Sequence, residues 1–201
     1  MSITIKPVSG PEIVPWLDDL ADLRIRVFRD YPYLYDGDTA YERKYLARYA
    51  ASPESLFVLA FDGGRVVGVS TGMPMRDETD EFKAPFLAAG YNPEEIFYFG
   101  ESVLLDTYRG RGLGVRFFEE RERYAMALCR FRYTAFCAVQ RPENHPLRPA
   151  DYVPLDRFWI NRGYRRHPEF QTRVSWKDID QPAATEHPMM FWMKHWPEIP
   201  A

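Results

Sequence analysis

The fold is decided by the stretch Ile96–Cys129, which has the sequence IFYFGESVLLDTYRGRGLGVRFFEERERYAMALC. Its first part, residues 96–105, is nearly continuous in aromatic, β-branched and aliphatic residues, which predicts a buried strand. Further along, four apolar residues recur on one face of a helix: Leu113, Phe117, Tyr124 and Leu128. The stretch therefore predicts a strand, a glycine-rich turn and an amphipathic helix.

The turn carries glycines at alternate positions, Gly110, Gly112 and Gly114. Such glycines let a ligand approach the backbone and leave the first amides of the helix pointing outward. With the positive end of the helix dipole and the side chains of Arg109 and Arg111, these amides predict a site for an anion such as a pyrophosphate. The turn has neither the Gly-Lys-Ser/Thr end of a P-loop nor the glycine spacing of a dinucleotide-binding fingerprint, so both of those classes are disfavoured.

This turn resembles the acetyl-CoA loop of the GCN5-related N-acetyltransferases, in which Arg or Gln is followed by two residues, Gly, one residue, and Gly or Ala. Arg109, Gly112 and Gly114 fill that pattern. The resemblance implies an α/β (α+β) fold with a mixed, mostly antiparallel sheet of six or seven strands, split between two central parallel strands, and helices on both faces. It also implies acetyl-CoA as the donor of an acetyl or short acyl group that passes directly to a primary amine.

The resemblance also implies which residues contact the cofactor. The main chain of Ser102, Val103 and Leu104 would pair with the pantetheine arm where their strand parts from its parallel neighbour. A second segment would hold the cofactor phosphates, and it consists of Arg109, Gly110, Arg111, Gly112, Leu113, Gly114 and Val115.

Glu101 is the candidate general base, because it is the only carboxylate in an otherwise apolar strand. Burial of a carboxylate favours its protonated form, which suits a group that takes a proton from an ammonium. Gly100 is compatible with a bulge that turns the side chain of Glu101 toward a cleft. The alternative is a glutamate at an edge or on the surface, paired with an arginine.

The general acid is less evident. The family's second signature is an aromatic pair, three residues, Gly and an aromatic, and it is matched by Phe158, Trp159, Gly163 and Tyr164. Trp159 stands where the family usually has a tyrosine that protonates the departing thiolate, and an indole has no titratable proton to give. Tyr152, just before this segment, is the candidate acid, with Tyr98, Tyr133 and solvent as alternatives. A chain that kept the cofactor loop and lost the acid would instead be a non-catalytic acyl-CoA sensor or binding module.

The loop Tyr31–Asp38 is rich in aromatic and acidic residues. It either packs as an ordinary loop or lines the acceptor pocket, since a tyrosine offers both apolar area and a hydroxyl. In the second case Tyr33 and Tyr35 are candidate substrate-binding residues. The acceptor would be a small-molecule or peptide amine, and the sequence does not rank a cationic small molecule, an aminoglycoside, a polyamine and a peptide.

The remaining chain supplies further regular elements. The runs 56–61 and 66–70 flank Asp62-Gly63-Gly64-Arg65 and predict a β-hairpin. Apolar patterns also predict strands at 2–8, 131–139, 170–176 and 189–196, and helices at about 15–29, 40–49 and 155–162. The two cysteines, Cys129 and Cys137, are expected to be buried hydrophobes and not a disulfide.

Composition favours a single acetyltransferase-like domain over residues 1–201, because 46% of the residues are hydrophobic and can fill one core. A net charge of −3 argues against nucleic-acid and membrane-surface partners, which a basic protein would attract. No apolar run reaches the length of a membrane span, so a cytoplasmic location is expected. The histidines lack the spacing of a metal site. Whether the chain forms a homodimer is left open.

Overall fold

The computed structural model describes residues 3–197, so Ser2, the first residue of the first predicted strand, lies outside it. The strands are β1 (Ile3–Ser9), β2 (Leu56–Asp62), β3 (Arg65–Pro74), β4 (Ile96–Tyr98), β5 (Ser102–Leu104), β6 (Tyr133–Val139), β7 (Arg165–Trp176) and β8 (Thr185–His195). The α-helices are α1 (Leu17–Phe28), α2 (Thr39–Ala51), α3 (Asp80–Ala88), α4 (Leu113–Ala127) and α5 (Asp156–Ile160). The elements expected from the sequence are therefore present, α1 after a 3₁₀ segment at Gly10–Trp16.

The strands form one sheet in the order β1-β2-β3-β4-β6-β8-β7, and β5 pairs with β3 beyond the end of β4. The paired strands are antiparallel except β4 and β6, which run parallel. Helix α4 makes the crossover that a parallel connection requires. The predicted fold class is confirmed, and the eight strands equal seven when β4 and β5 count as one interrupted strand.

The hairpin between β2 and β3 closes as its sequence predicts. Asp62 pairs with Arg65, and the two residues between them are Gly63 and Gly64, with φ of +58° and +86°. Positive φ at both central positions matches the right-handed twist of the flanking strands, and glycine adopts it without steric cost.

A bulge interrupts the central strand between β4 and β5. The β3–β4 pairing ends at Met73 and Tyr98. The β3–β5 pairing starts at Ser70 and Ser102. Between these pairs, two residues of β3 lie opposite three of the central strand, namely Thr71 and Gly72 opposite Phe99, Gly100 and Glu101. One extra residue in one strand is the definition of a β-bulge, and it sharpens the local bend.

Because of the bulge, the odd-numbered side chains before and after it lie on opposite faces of the sheet. Phe99 lies beneath Arg121 of α4, with 4.2 Å between the guanidinium carbon and the ring centre. Glu101, two residues on, contacts Arg24 of α1 instead. Side chains two apart in a regular strand share a face, so without the extra residue Glu101 would point toward α4. Helices therefore flank both faces, and the bulge directs Glu101 toward α1 and α2.

The bulge also opens the sheet. Phe99 donates its amide to the Ala135 carbonyl at 2.7 Å, and β5 then pairs with β3 alone while β6 pairs with β8. The gap between β5 and β6 corresponds to the split that the family resemblance implies between two parallel strands.

Two further expectations concern the cysteines and membrane spans. Both cysteines are free thiols, Cys137 buried and Cys129 exposed. The prediction that Cys129 is buried is wrong, because α4 ends at Ala127 and Cys129 lies in the turn that follows, off the buried helix face. No helix within residues 3–197 is long and apolar enough to cross a bilayer.

Gly100→Ala should destabilise the protein. The new Cβ would lie 2.2 Å from the hydroxyl of the buried Tyr49 and 2.7 Å from Thr71 Oγ1, and overpacking of this kind costs about 1–3 kcal/mol. For a domain of this size that corresponds to roughly 2–4 °C in Tm per kcal/mol. Gly114→Ala is the control, because its Cβ would make ordinary contact with Phe158 at 3.4 Å. Equal Tm values for Gly100→Ala and wild type would contradict the packing argument.

Candidate functional site

The glycine loop, residues 109–115, joins β5 to α4. Gly110 and Gly112 have φ of +74° and +79°, and nothing lies within 4 Å of where their Cβ atoms would stand. Helix α4 has no side-chain cap, and among residues 3–197 the amides of residues 110–114 donate to no carbonyl or side chain. The Val115 amide differs, because it donates to the Gly112 carbonyl at 3.1 Å. Free amides at and just before the positive end of a helix can bind an anion.

Two arginines border this loop. Arg109 forms an exposed ion pair with Asp106 at 2.7 Å. Arg111 lies over the Tyr108 ring, with 5.3 Å between the guanidinium carbon and the ring centre. The guanidinium of Arg111 is thus the more readily available of the two to an anion on the loop.

Ser102, Val103 and Leu104 form the β5 edge of the split. They pair with Ser70, Val69 and Gly68 of β3 on one side. In an antiparallel pair only every second residue directs its peptide groups at its partner. The Glu101 carbonyl accepts from Thr71 and the Leu105 amide donates to Val67, so in this alternation Val103 also pairs with β3. The prediction that Val103 offers main-chain groups to a ligand is therefore wrong, whereas the peptide groups of Ser102 and Leu104 face the gap toward β6, where a ligand with amide groups can pair with them.

A cleft of about 110 Å³ lies beside the bulge. Half of the residues that line it are aromatic, and the lining consists of Arg24, Phe28, Tyr33, Tyr35, Tyr41, Glu42, Tyr45, Phe82, Tyr98, Gly100, Glu101, Cys137, Val174, Ser175, Trp176 and Met189. The candidate base Glu101 and both candidate substrate-binding tyrosines, Tyr33 and Tyr35, therefore meet in one cleft. Their roles remain predictions, whereas their proximity is an observation.

Three buried charges form the floor of the cleft, and we call Arg24, Glu42 and Glu101 the charged cluster. The Nε atom of Arg24 donates to Glu42, and its Nη1 lies 2.7 Å from Glu101 Oε1. Tyr45 donates its hydroxyl to Glu101 Oε2 at 2.8 Å. The three charged side chains are at most 8% exposed. Glu101 is thus neither the isolated carboxylate nor the surface glutamate that the sequence suggested, but a buried one shared with an arginine.

A second buried arginine holds the main chain of the bulge from the opposite face. Arg121 of α4 donates from Nη1 to the carbonyls of Thr71 and Glu101, at 3.3 and 3.2 Å. Burial lowers the pKa of its guanidinium to about 10, so it remains charged at neutral pH. Arg121 fixes the backbone of Glu101, and Arg24 fixes its side chain.

The loop that carries Tyr33 and Tyr35 is anchored to the other end of the chain. Arg141 donates to the carbonyls of Pro32 and Tyr33 at 2.8 and 2.7 Å. It also binds Asp178 through two hydrogen bonds of 2.6 and 2.8 Å. Burial raises the pKa of both tyrosines well above the usual value, so their phenols stay neutral.

The candidate acids occupy different places. Tyr152 packs edge-on against Tyr31, with ring centres 4.7 Å apart, and burial raises its pKa. Tyr98 lines the cleft, and its hydroxyl lies 3.1 Å from Cys137 Sγ. Tyr133 is the first residue of β6 and pairs with Ile96 at the closed end of the split. Trp159 packs against Phe136 and Trp192.

The sequence analysis missed Arg24, Glu42 and Arg121 as site residues. A signal existed for both arginines. Arg24 follows Leu20 by four positions on the buried face of α1, and Arg121 follows Phe117 by four on that of α4. A charged residue in an apolar stripe requires a buried partner. Glu42 gave the same signal, since it precedes Leu46 by four positions and Tyr49 by seven on the buried face of α2.

Comparison with known proteins agrees with the fold described above. Residues 17–150 match the model of the Acetyltransferase (GNAT) family. No curated protein matches the sequence. At 15% identity, the chain is similar to an acetyltransferase of the GNAT family from Streptococcus pneumoniae (TM-score 0.59; 96% of this chain and 99% of that chain covered).

Two further solved structures contain a cofactor. The yncA protein of Salmonella typhimurium, with its cofactor acetyl-CoA, is 11% identical (TM-score 0.62; 100% and 98% covered). The paia N-acetyltransferase of Thermoplasma acidophilum, in complex with coenzyme A, is also 11% identical (TM-score 0.57; 98% and 100% covered). At such identities the likeness shows the fold.

Arg24→Met should lower stability strongly at pH 7.5, by about 3–5 kcal/mol, because it leaves two buried carboxylates without their cation. Such carboxylates hold a proton more tightly in the folded than in the unfolded chain. The free energy of unfolding of the variant should therefore approach that of the wild type as the pH falls toward 5, and fall below it again as the pH rises. Urea denaturation at both pH values measures this effect.

Arg43→Met is the matched control, because Arg43 and Asp18 join the same two helices by an exposed ion pair of 2.8 Å. We expect little change from it at either pH, since exposed pairs contribute little. If Arg24→Met loses little free energy of unfolding, or loses the same amount at both pH values, Arg24 does not compensate the buried carboxylates.

Proposed function

The chain belongs to the GNAT acetyltransferase family, since the family model covers more than half of it, and we propose that it transfers an acetyl or short acyl group from acetyl-CoA directly to a primary amine. The observation that carries this proposal is a charged cluster with one cation and two anions at the floor of a cleft beside the split. Such a cluster has two carboxylates for one guanidinium, so one carboxylate is not compensated.

The residues of the split fit the donor. The free amides of residues 110–114 and the guanidinium of Arg111 suit a pyrophosphate, and open space lies above Gly110 and Gly112. The outward peptide groups of Ser102 and Leu104 suit the amides of a pantetheine arm. Bound acetyl-CoA supplies an activated thioester carbonyl. The protein supplies the position and the exclusion of water.

Glu101 is the proposed base, acting directly or through one water. Arg24 and Tyr45 orient its carboxylate, and each carboxylate oxygen keeps a lone pair for a further donor. An ammonium in the cleft would donate to Glu101 and lose a proton to it, which frees the nitrogen lone pair for attack. Arg24 also pairs with Glu42, so its single charge does not fully compensate Glu101.

Tyr152 remains the proposed donor of a proton to the departing thiolate. It lies in the loop before α5, outside the cleft lining, and its ring packs against Tyr31 of the loop that carries Tyr33 and Tyr35. The hydroxyl of Tyr98 is already engaged with Cys137, and Tyr133 lies at the closed end of the split.

One observation favours a second function, that of a non-catalytic acyl-CoA sensor. Trp159 packs among aromatic side chains at the position of the family's usual acid. Incubation with acetyl-CoA and a panel of amines separates the two functions, because only the enzyme releases free CoA.

Glu101→Gln should lower the rate of CoA release roughly 100-fold or more, with little change in acetyl-CoA affinity. The amide keeps the shape of the side chain and loses the ability to accept a proton. Glu78→Gln is the control, because Glu78 is a buried carboxylate paired with Arg48 and Tyr49 outside the cleft lining. An unchanged rate in Glu101→Gln would refute the role of base.

Gly112→Ala should weaken acetyl-CoA binding by roughly tenfold, because a Cβ at positive φ is strained and the amides around it must shift. Gly90→Ala is matched in geometry, since Gly90 also has φ of +79° and open space around its Cβ position. The two variants should lose similar stability, while only Gly112→Ala loses the thermal shift that acetyl-CoA produces. Equal thermal shifts in both would place the phosphate site elsewhere.

A further inference from the structure

The charges that line the cleft exclude one kind of acceptor. Among the described residues of the lining, Arg24 is the only cation, and Glu42 and Glu101 already share it. Oε1 of Glu42 has no hydrogen-bond partner within residues 3–197. The floor thus offers acceptor atoms and one excess negative charge, and the described lining residues include no free cation to receive an acidic group.

The walls of the cleft indicate which groups the ligand carries beside its amine. Phe28, Phe82 and Trp176 present apolar ring surface, and the tyrosines add ring faces with neutral hydroxyls. Ring faces of this kind attract both aromatic groups and cations. The volume of about 110 Å³ is smaller than the roughly 150 Å³ apolar cavity that accommodates a benzene ring. The enclosed part therefore takes an ammonium on a short chain, and a ring attached to that chain would lie at the open mouth, against the aromatic walls.

We infer that the acceptor is an aromatic primary amine with no acidic group next to its reactive nitrogen. This inference rests on the proposed amine acetylation and narrows it. In a free amino acid the carboxylate is bonded to the carbon that bears the nitrogen, so it would enter the cleft within a few bonds of Glu101. Two like charges so close in a partly buried site repel strongly. A polyamine brings at least two ammonium groups, and the single excess negative charge of the cleft can balance only one of them.

Three amines of related shape test the inference: tyramine, tyrosine and tyrosinamide. Tyrosinamide has nearly the size of tyrosine without its negative charge, so it separates charge from bulk. CoA release should give tyramine a kcat/KM at least roughly 30-fold above that of tyrosine, with tyrosinamide within roughly tenfold of tyramine. Calorimetry with the same amines and CoA-free protein measures binding independently of turnover.

The outcomes distinguish this inference from the proposed function. Equal use of tyrosine and tyramine, or failure of tyrosinamide together with tyrosine, overturns the inference. Turnover of spermidine in place of the three aromatic amines overturns it too, and leaves amine acetylation intact. If no amine releases CoA while tyramine still binds in preference to tyrosine, the ligand class stands and the proposed reaction is wrong. Absence of tyramine binding overturns the ligand class.

Glu42→Gln tests the source of the excess charge, because Arg24 and Glu101 then form a neutral pair. The KM for tyramine should rise roughly tenfold, and the preference over tyrosine should fall. Glu78→Gln, outside the cleft lining, should keep the preference of the wild type. An unchanged preference in a folded Glu42→Gln would overturn the electrostatic argument, and the wild-type comparison of the three amines stands even where that variant fails to fold.

Discussion

One extra residue in the central strand is the constraint on which the site depends. The bulge at Phe99, Gly100 and Glu101 separates β5 from β6, and in the same step moves Glu101 from the α4 face of the sheet to the α1 face. Had the strand continued in register, β5 would lie against β6 and the only carboxylate of the strand would point into the apolar side of α4. The gap between β5 and β6 and the position of Glu101 in the cleft are therefore two consequences of one backbone irregularity.

The bulge is held by charges that do not favour folding by themselves. Arg121 is buried beneath two backbone carbonyls, and Arg24 is buried between two carboxylates. Desolvation of such groups offsets most of their mutual attraction, so well-packed apolar residues would give comparable or greater stability. Apolar side chains, however, have no directed bonds with which to fix a carbonyl or a carboxylate. The two arginines constrain Glu101 from opposite faces, one through its main chain and one through its side chain, and that geometry is what apolar packing would lose.

The sequence predicted the parts of this site that depend on local patterns. The glycine loop, the β2–β3 hairpin and the strand-to-helix order follow from spacing, because each is specified within a few residues. The contacts of the site arginines do not follow from spacing. Periodicity places Arg24 and Arg121 on apolar faces, but it cannot identify the partners that compensate them, because those partners lie far away in sequence. Arg121 fills the seven-residue gap in the stripe between Phe117 and Tyr124, a position that apolar periodicity leaves empty. The same limit explains why Glu101 was expected to be uncompensated in its strand.

One half of the proposed site consists of backbone groups and the other of side chains, and this explains why family membership does not identify the acceptor. The proposed donor side consists mainly of backbone amides at residues 110–114 and peptide groups of β5, which exist whatever the side chains are. The few positions that must be glycine there form a motif that sequence alone reveals. The proposed acceptor side consists mostly of side chains from α1, α2, α3, several strands and the loop that Arg141 anchors, and most of these can change without altering the backbone of the split. Acceptor choice is thus a property of charges and ring faces in the cleft, and it has to be argued from those residues one by one.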